Sequence, residues 1–309
     1  MAARSVSSVF LGAALLFGCK APPPEAPEGL EDTARFLMRE FYSDDATMGA
    51  GLTGLLQWYE DEGQALDGQS PTTGEDNVAA DFQLQTLLPE DLAPTMVSSS
   101  GRELSLAGGV MAVTTLSCDW AGIEMIGGRP DQDVVFEDEW AHYTRVFETD
   151  RAAYEAATEA RSIPAIDQVL DPTADDFDPA DTAESILWTS NPLGTSEFGV
   201  SMDYTLNIHF RHGLYLVQGQ ERHATITLTW QPDPTWGSGG SNALHQNWGV
   251  DALVEDADGR VVRLVVIWSD IESVATGTDL LVNLQVNRIN RFSDRMSAIC
   301  DDPSILPPE

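Results

Sequence analysis

Residues 202–230 read Met202-Asp-Tyr-Thr-Leu-Asn-Ile-His-Phe-Arg-His-Gly-Leu-Tyr-Leu-Val-Gln-Gly-Gln-Glu-Arg-His-Ala-Thr-Ile-Thr-Leu-Thr-Trp230. Tyr204, Leu206, Ile208 and Phe210 alternate with Thr205, Asn207, His209 and Arg211, the period of a strand with one buried face. A two-residue turn at His212-Gly213 pairs Phe210 with Tyr215 and Ile208 with Val217. A second turn at Gly219-Gln220 pairs Val217 with Arg222 and Tyr215 with Ala224. Ala224, Ile226, Leu228 and Trp230 then share the face of the earlier apolar set, and Thr227 points the other way. Arg222, at the sheet end, is the exception on that face.

The same pattern continues outward. A three-residue turn at Ala257-Asp258-Gly259 aligns Trp248, Val250, Ala252 and Val254 with Val262, Leu264, Val266 and Trp268. Leu280 to Asn287 reads as a sixth strand, and Ile289, Phe292, Met296 and Ile299 form the stripe of an amphipathic C-terminal helix. Upstream, Val110 to Leu116 is a β-branched run suited to a buried strand. Trp140 to Thr149 reads as a strand, and Asp150 to Ala160, rich in Ala and Glu, as a helix. Near the start, Ala34, Leu37, Met38 and Phe41 have helical spacing behind a cap at Asp32 or Thr33. Leu52, Leu55, Leu56 and Tyr59 mark a second helix over 52–66. The expected fold class is α+β: N-terminal helices, an antiparallel meander of about six strands in the C-terminal half, and a closing helix. In element order, residues 110–300 resemble the helix-grip fold, which implies a curved sheet wrapped around a C-terminal helix with a cavity between them.

The chain begins with a different kind of signal. Arg4 precedes an apolar run from Val9 to Phe17, too short to span a bilayer, and Leu16-Phe17-Gly18-Cys19 follows. These four residues resemble the lipobox of bacterial lipoproteins. The resemblance implies a signal peptide over 1–18, cleavage before Cys19 and lipidation of that cysteine. Lys20 stands where an Asp marks inner-membrane retention, so the resemblance implies an outer-membrane anchor, on the periplasmic or surface face. Ala21-Pro-Pro-Pro-Glu-Ala-Pro-Glu-Gly29 makes 19–30 an extended Pro-rich linker. The remaining organisation is a helical segment at 31–67, an exposed loop at 67–77, an α+β domain at 78–300 and a tail at 301–309.

Composition limits the partners. The formal net charge of the chain is −34 and Lys20 is its only lysine. Such a balance repels nucleic acid and anionic headgroups. The mature domain therefore has no Walker, Schiff-base or Ser-x-x-Lys lysine. Of the three cysteines, Cys19 is assigned to lipid, and Cys118 and Cys300 remain as a disulfide pair suited to an oxidising compartment.

The chemical motifs read as structure. Gly49-Ala50-Gly51-Leu52-Thr53-Gly54 matches a dinucleotide fingerprint in letters, but a helix enters it where the fingerprint needs a strand, so it reads as a Gly-rich joint between helices. His209 and His212 leave opposite faces. His209 and His223 share a face at about 10 Å, too far for one zinc. His142 and His245 have no sequence-local ligand partner. Asp171, Asp175, Asp176, Asp178 and Asp181 lack calcium-loop spacing and read as a solvated acidic loop within 171–185. Asp256-Ala257-Asp258-Gly259 is turn chemistry. The sequence thus assigns no catalytic, cofactor-binding or metal residue and calls for no cofactor. The loop Gln231 to Asn247, with glycines between Trp236 and Trp248, is the candidate ligand loop. The expected function is a non-enzymatic envelope lipoprotein that binds a small molecule, in its sharpest form a hydrophobic one between sheet and helix, or an envelope protein. The alternative is a hydrolase using Asp and Glu carboxylates on glycans.

Overall fold

The computed structural model describes Pro22 and residues 24–41, 43–63, 77–78, 87–91, 108–128, 141–143, 146–148, 169–170, 188–197, 200–231, 234–237, 243–272 and 278–306. The segment 1–18, Cys19, the loop at 67–76, the helix expected over 150–160 and the acidic loop at 171–185 lie outside them.

Two helices come first, α1 (Leu30–Arg39) and α2 (Asp45–Trp58), the latter running into a π-helical turn at Tyr59–Gly63. The helical stripe is as expected, with Ala34, Leu37, Met38, Phe41, Leu52, Leu55, Leu56 and Tyr59 all buried. The start of α1 is earlier than expected. Gly29 is its N-cap, without a side-chain cap, and Thr33 lies inside the helix donating its hydroxyl to the Gly29 carbonyl at 2.8 Å. Asp44 caps α2 by accepting from the Thr47 amide at 2.9 Å, the ordinary chemistry of an N-terminal Asp. The Gly49–Gly54 stretch is therefore not a joint but the middle of α2.

Among the described residues eleven strands form one antiparallel sheet. They are β1 (Asn77–Val78), β2 (Gly108–Leu116), β3 (Ala141–Tyr143), β4 (Val146–Glu148), β5 (Val169–Leu170), β6 (Trp188–Glu197), β7 (Val200–Val217), β8 (Gln220–Trp230), β9 (Thr235–Trp236), β10 (Ala243–Glu255) and β11 (Val261–Glu272). The order is β1-β2-β11-β10-β8-β7-β6-β4-β5, with β3 beside β6 and β9 beside β10. The strand expected over 140–149 is thus two short pieces, β3 and β4. Among the described residues two further helices are α3 (Trp120–Gly128) and α4 (Thr278–Asp301), followed by a 3-10 turn at Pro303–Ile305 that leaves Leu306 buried.

The β10–β11 hairpin has the expected register: Trp248 pairs with Trp268, Val250 with Val266, Ala252 with Leu264 and Val254 with Val262. Its turn is built by Asp256, whose Oδ1 accepts from the amides of Asp258 at 2.8 Å and Arg260 at 2.9 Å. Gly259 takes the left-handed φ of 78° there.

The β7–β8 hairpin differs. His212-Gly213 is not a turn, and β7 runs straight through it, pairing Phe210 with Thr227 and Gly213 with Ala224. The reversal falls at Gln218-Gly219, with φ of 50° and 77°, the two positive values of a type I′ turn. Val217 consequently pairs with Gln220 and Tyr215 with Arg222. The slip at this turn preserves parity, so Tyr215, Val217, Ala224, Ile226, Leu228 and Trp230 are all buried in one cluster. The continuous β7, by contrast, sets Phe210 opposite Thr227 and Ile208 opposite Thr229, so the run from Tyr204 to Phe210 does not share their register face as expected. Gln218 is not a natural left-handed residue. It is held by α2 and the π-helical turn after it, where Thr53 Oγ1 accepts its amide at 3.0 Å and Glu60 accepts its side-chain amide at 3.0 Å.

Residues 280–287 are helix, not strand. Val282, Val286, Ile289, Ser293 and Met296 keep helical spacing without a Gly or Pro break. The short alternation inside that stretch satisfies both periods, and length decides between them.

The sheet carries helices on both faces. On the inner face, α1, α2 and Tyr59 pack with Met111, Val113, Val250, Leu264 and their neighbours. On the outer face, Trp120, Ile123 and Ile126 of α3 meet Leu116, Leu253, Val261, Met296 and Ile299, while Ile289 of α4 meets Val110, Ala112 and Val265. Sheet edges invite foreign pairing. Among the described residues β6 pairs with β7 only as far as His209. Beyond it α2 lies so close that a Cβ on Gly49 would stand 2.5 Å from the Leu216 carbonyl oxygen.

Candidate functional site

The sequence-assigned site residues fall in three places. Cys118, just after β2, and Cys300, near the end of α4, are joined in a disulfide with Cα atoms 5.1 Å apart. The bond ties the start of α3 to the end of α4, and Cys300 Sγ would be 2.7 Å from a Cβ placed on Gly122.

Trp236 and Trp248 are set in different surroundings. Trp236 on β9 is 60% exposed, whereas Trp248 is 1% exposed in the inner core. Trp248 pairs with Trp230 on one side and Trp268 on the other, so three indoles cross the sheet in a row. Two residues along β10 from this row, at the near edge of a register irregularity between Leu244 and Gln246, sits the Gln246 carboxamide. It is 1% exposed and neither its oxygen nor its nitrogen has a hydrogen-bonding partner. Nearby, the side-chain amide of Gln231 donates to the Leu244 carbonyl at 3.1 Å. Burying an unpaired amide costs about 1–3 kcal/mol.

The layer between sheet and α4 is joined by polar groups. Arg263 grips Asp251 through Nε at 3.0 Å and Nη2 at 2.6 Å, and donates from Nη1 to Ser293 Oγ on α4 at 3.0 Å. The Thr114 hydroxyl lies 3.1 Å from the same Ser293 oxygen. Arg263 is buried while Asp251 keeps 27% of its side chain open. A second buried cation, Arg211, holds α2 to the sheet through the carbonyls of Phe41 and Ser43 and through Asp45.

The histidines are arranged differently from the expectation. With β7 continuous, His212, not His209, shares a face with His223, since Leu214 pairs with His223 and His212 with Thr225. Both rings stack against Trp120 of α3, each with centroids 5.4 Å apart and planes inclined by 19°. His212 Nδ1 is 2.7 Å from Thr225 Oγ1, and Nε2 is 3.3 Å from Glu124 Oε1. Burial lowers the His212 pKa, opposed by Glu124 and assisted by His223. Among the described residues no three His, Cys, Asp or Glu side chains are grouped to hold a metal. Nothing in the local sequence signals the cluster, because α3 reaches the histidines from far away in the chain.

No family model matches the chain, and no curated protein matches it. Among solved structures it is similar to a START superfamily protein from Mycobacterium smegmatis, with a TM-score of 0.34 and 9% identity, over 63% of this chain and 98% of that one. At that distance the likeness carries nothing about ligand or activity.

Proposed function

We propose that the chain is a lipid-anchored protein of the bacterial cell envelope, attached to the outer membrane through Cys19. Its domain binds a small, largely apolar molecule or an envelope protein. The observation that carries this reading is the division of the cysteines. Cys118 and Cys300 are bonded to each other, which suits an oxidising compartment, and the one cysteine left over is the one that ends Leu16-Phe17-Gly18-Cys19. The binding half is supported by Gln246, a buried amide that a polar group of a bound molecule would satisfy, beside the three-indole row. Two acyl chains on Cys19 give lasting attachment, at about 0.8 kcal/mol for each buried CH2. Fatty-acid analogue fed to the host is expected to label the wild type and not Cys19→Ala, which leaves the membrane fraction or stays unprocessed. Label surviving in Cys19→Ala would overturn the anchor.

A further inference from the structure

We propose, on the reading that the domain binds a small apolar molecule, that Gln246 is the polar anchor of its site. The ligand it selects is neutral, with a hydrogen-bond donor and an acceptor side by side on the edge of a flat apolar body, as in a lactam. Gln246 is 1% exposed, and both polar atoms of its carboxamide lack a partner. Those atoms have opposite needs, since the oxygen accepts and the nitrogen donates. A cis-amide edge answers both at once, in two parallel hydrogen bonds. A hydroxyl is a single atom and cannot align with both, and a hydrocarbon leaves both buried and unpaired. An ammonium offers only donors, a carboxylate only acceptors. A carboxylate would also stand beside Asp270, which is 8% exposed and pairs with Gln246 across β10 and β11. Like charges so placed repel, and the site therefore selects against anions.

The strands around Gln246 end in a way that suits an entrance. Among the described residues β8 stops at Trp230, opposite Trp248, and β2 starts at Gly108, opposite Ser269, so β10 and β11 run on past both neighbours. Gln246 and Asp270 are the first pair beyond that point on the face of the indole row. His245 is the extra residue between the Leu244–Ile271 and Gln246–Asp270 pairs, and such bulges re-aim side chains beside active sites. Past the bulge lies the two-residue β9, paired through Trp236 with Ala243 and through Thr235 with Leu244. Gln231 clasps it there, donating to Thr235 Oγ1 at 3.3 Å and to the Leu244 carbonyl at 3.1 Å. So short a strand opens at low cost, and its opening admits the ligand to the covered amide. Gln246 and Trp248, two apart on one strand, share a face, so the flat body lies towards Trp230, Trp248 and Trp268.

Calorimetric titration of the oxidised full-length chain with carbostyril, naphthol and naphthoate tests the site. All three share a flat fused-ring body, and their edges are a lactam, a hydroxyl and a carboxylate. Carbostyril is expected to bind at least about tenfold more tightly than either of the others, although naphthol is the more hydrophobic. Gln246→Met, close in size but without the amide, is expected to erase that preference. It is also expected to raise the urea midpoint of the free protein, because no unpaired amide is left buried. Naphthol or naphthoate binding as tightly as carbostyril would overturn the ligand class and leave an apolar site standing. No measurable binding of any of the three would overturn the class and the binding reading together. A preference that survives in Gln246→Met would also overturn the proposal, as would a midpoint no higher than the wild type's, since the amide would then be satisfied without a ligand. Labelling at Cys19 bears on the anchor alone.

Discussion

Leu264→Asp is expected to leave no folded domain. Leu264 is fully buried in the inner core, between Ala252 on β10 and Val113 on β2. The substitution removes an apolar side chain worth about 2–3 kcal/mol of burial and puts a carboxylate among hydrocarbon, at a penalty of several kcal/mol more. Whole domains are stable by only about 5–15 kcal/mol. Thr227→Asp is expected to damage the domain as well, though less. Thr227 belongs to the other face, which is also covered, and it stands opposite Asp251, so two carboxylates would meet across neighbouring strands. Urea unfolding followed by circular dichroism checks both. Native-like stability for Thr227→Asp would show that the outer face is open at β8.

Loss of the disulfide is expected to have the next largest effect. The paired cysteines are 182 residues apart in sequence, and closing so long a loop in the unfolded chain is worth about 5 kcal/mol in the chain-entropy model. Cys118→Ser with Cys300→Ser should lower the urea midpoint substantially. It should also raise the slope, because the unfolded chain becomes more expanded. Reduction of the wild type should reproduce the shift. Coincident curves for the oxidised, reduced and double-substituted proteins would contradict this account of α3 and α4.

How far the fold was legible depended on whether its determinants were local. The β10–β11 register is written in the sequence because Asp256 and Gly259 make their own turn and two apolar rows of equal length flank it. From Tyr215 to Trp230 the period of two holds although the turn falls one residue earlier than expected, since that moves the pairing by two. The expected 212–213 turn is absent, and this takes Tyr204, Leu206, Ile208 and Phe210 out of register with that apolar set. The real turn was hidden because Gln218 is held left-handed by Thr53 and Glu60, contacts made across the fold. His212-Gly213 has turn composition, yet both residues lie inside a continuous strand. The stretch 280–287 met both periods in a short window, and only its unbroken continuation into Ile289–Ile299 favoured helix.

The candidate sites divide in the same way. Cys118 and Cys300 could be paired by counting once Cys19 was set aside. Trp236 and Trp248 were joined by nearness in sequence, but strand pairing sends one to the surface and the other into the core. The Trp120–His212–His223 stack was illegible because it needs the true register of β7 and β8 together with the placement of α3. The outer-face pair Asp251–Arg263 is equally hidden, because only the strand pairing of β10 and β11 and the placement of α4 bring Asp251, Arg263 and Ser293 together.

The central claim is the fate of the three cysteines, and one measurement tests it directly: intact mass of the protein extracted from its host membranes, alkylated without reductant. The account predicts a chain beginning at Cys19, heavier by its lipid, with no alkyl group on Cys118 or Cys300. A chain retaining residues 1–18, or one without lipid whose free thiols take up the alkylating agent, would contradict it.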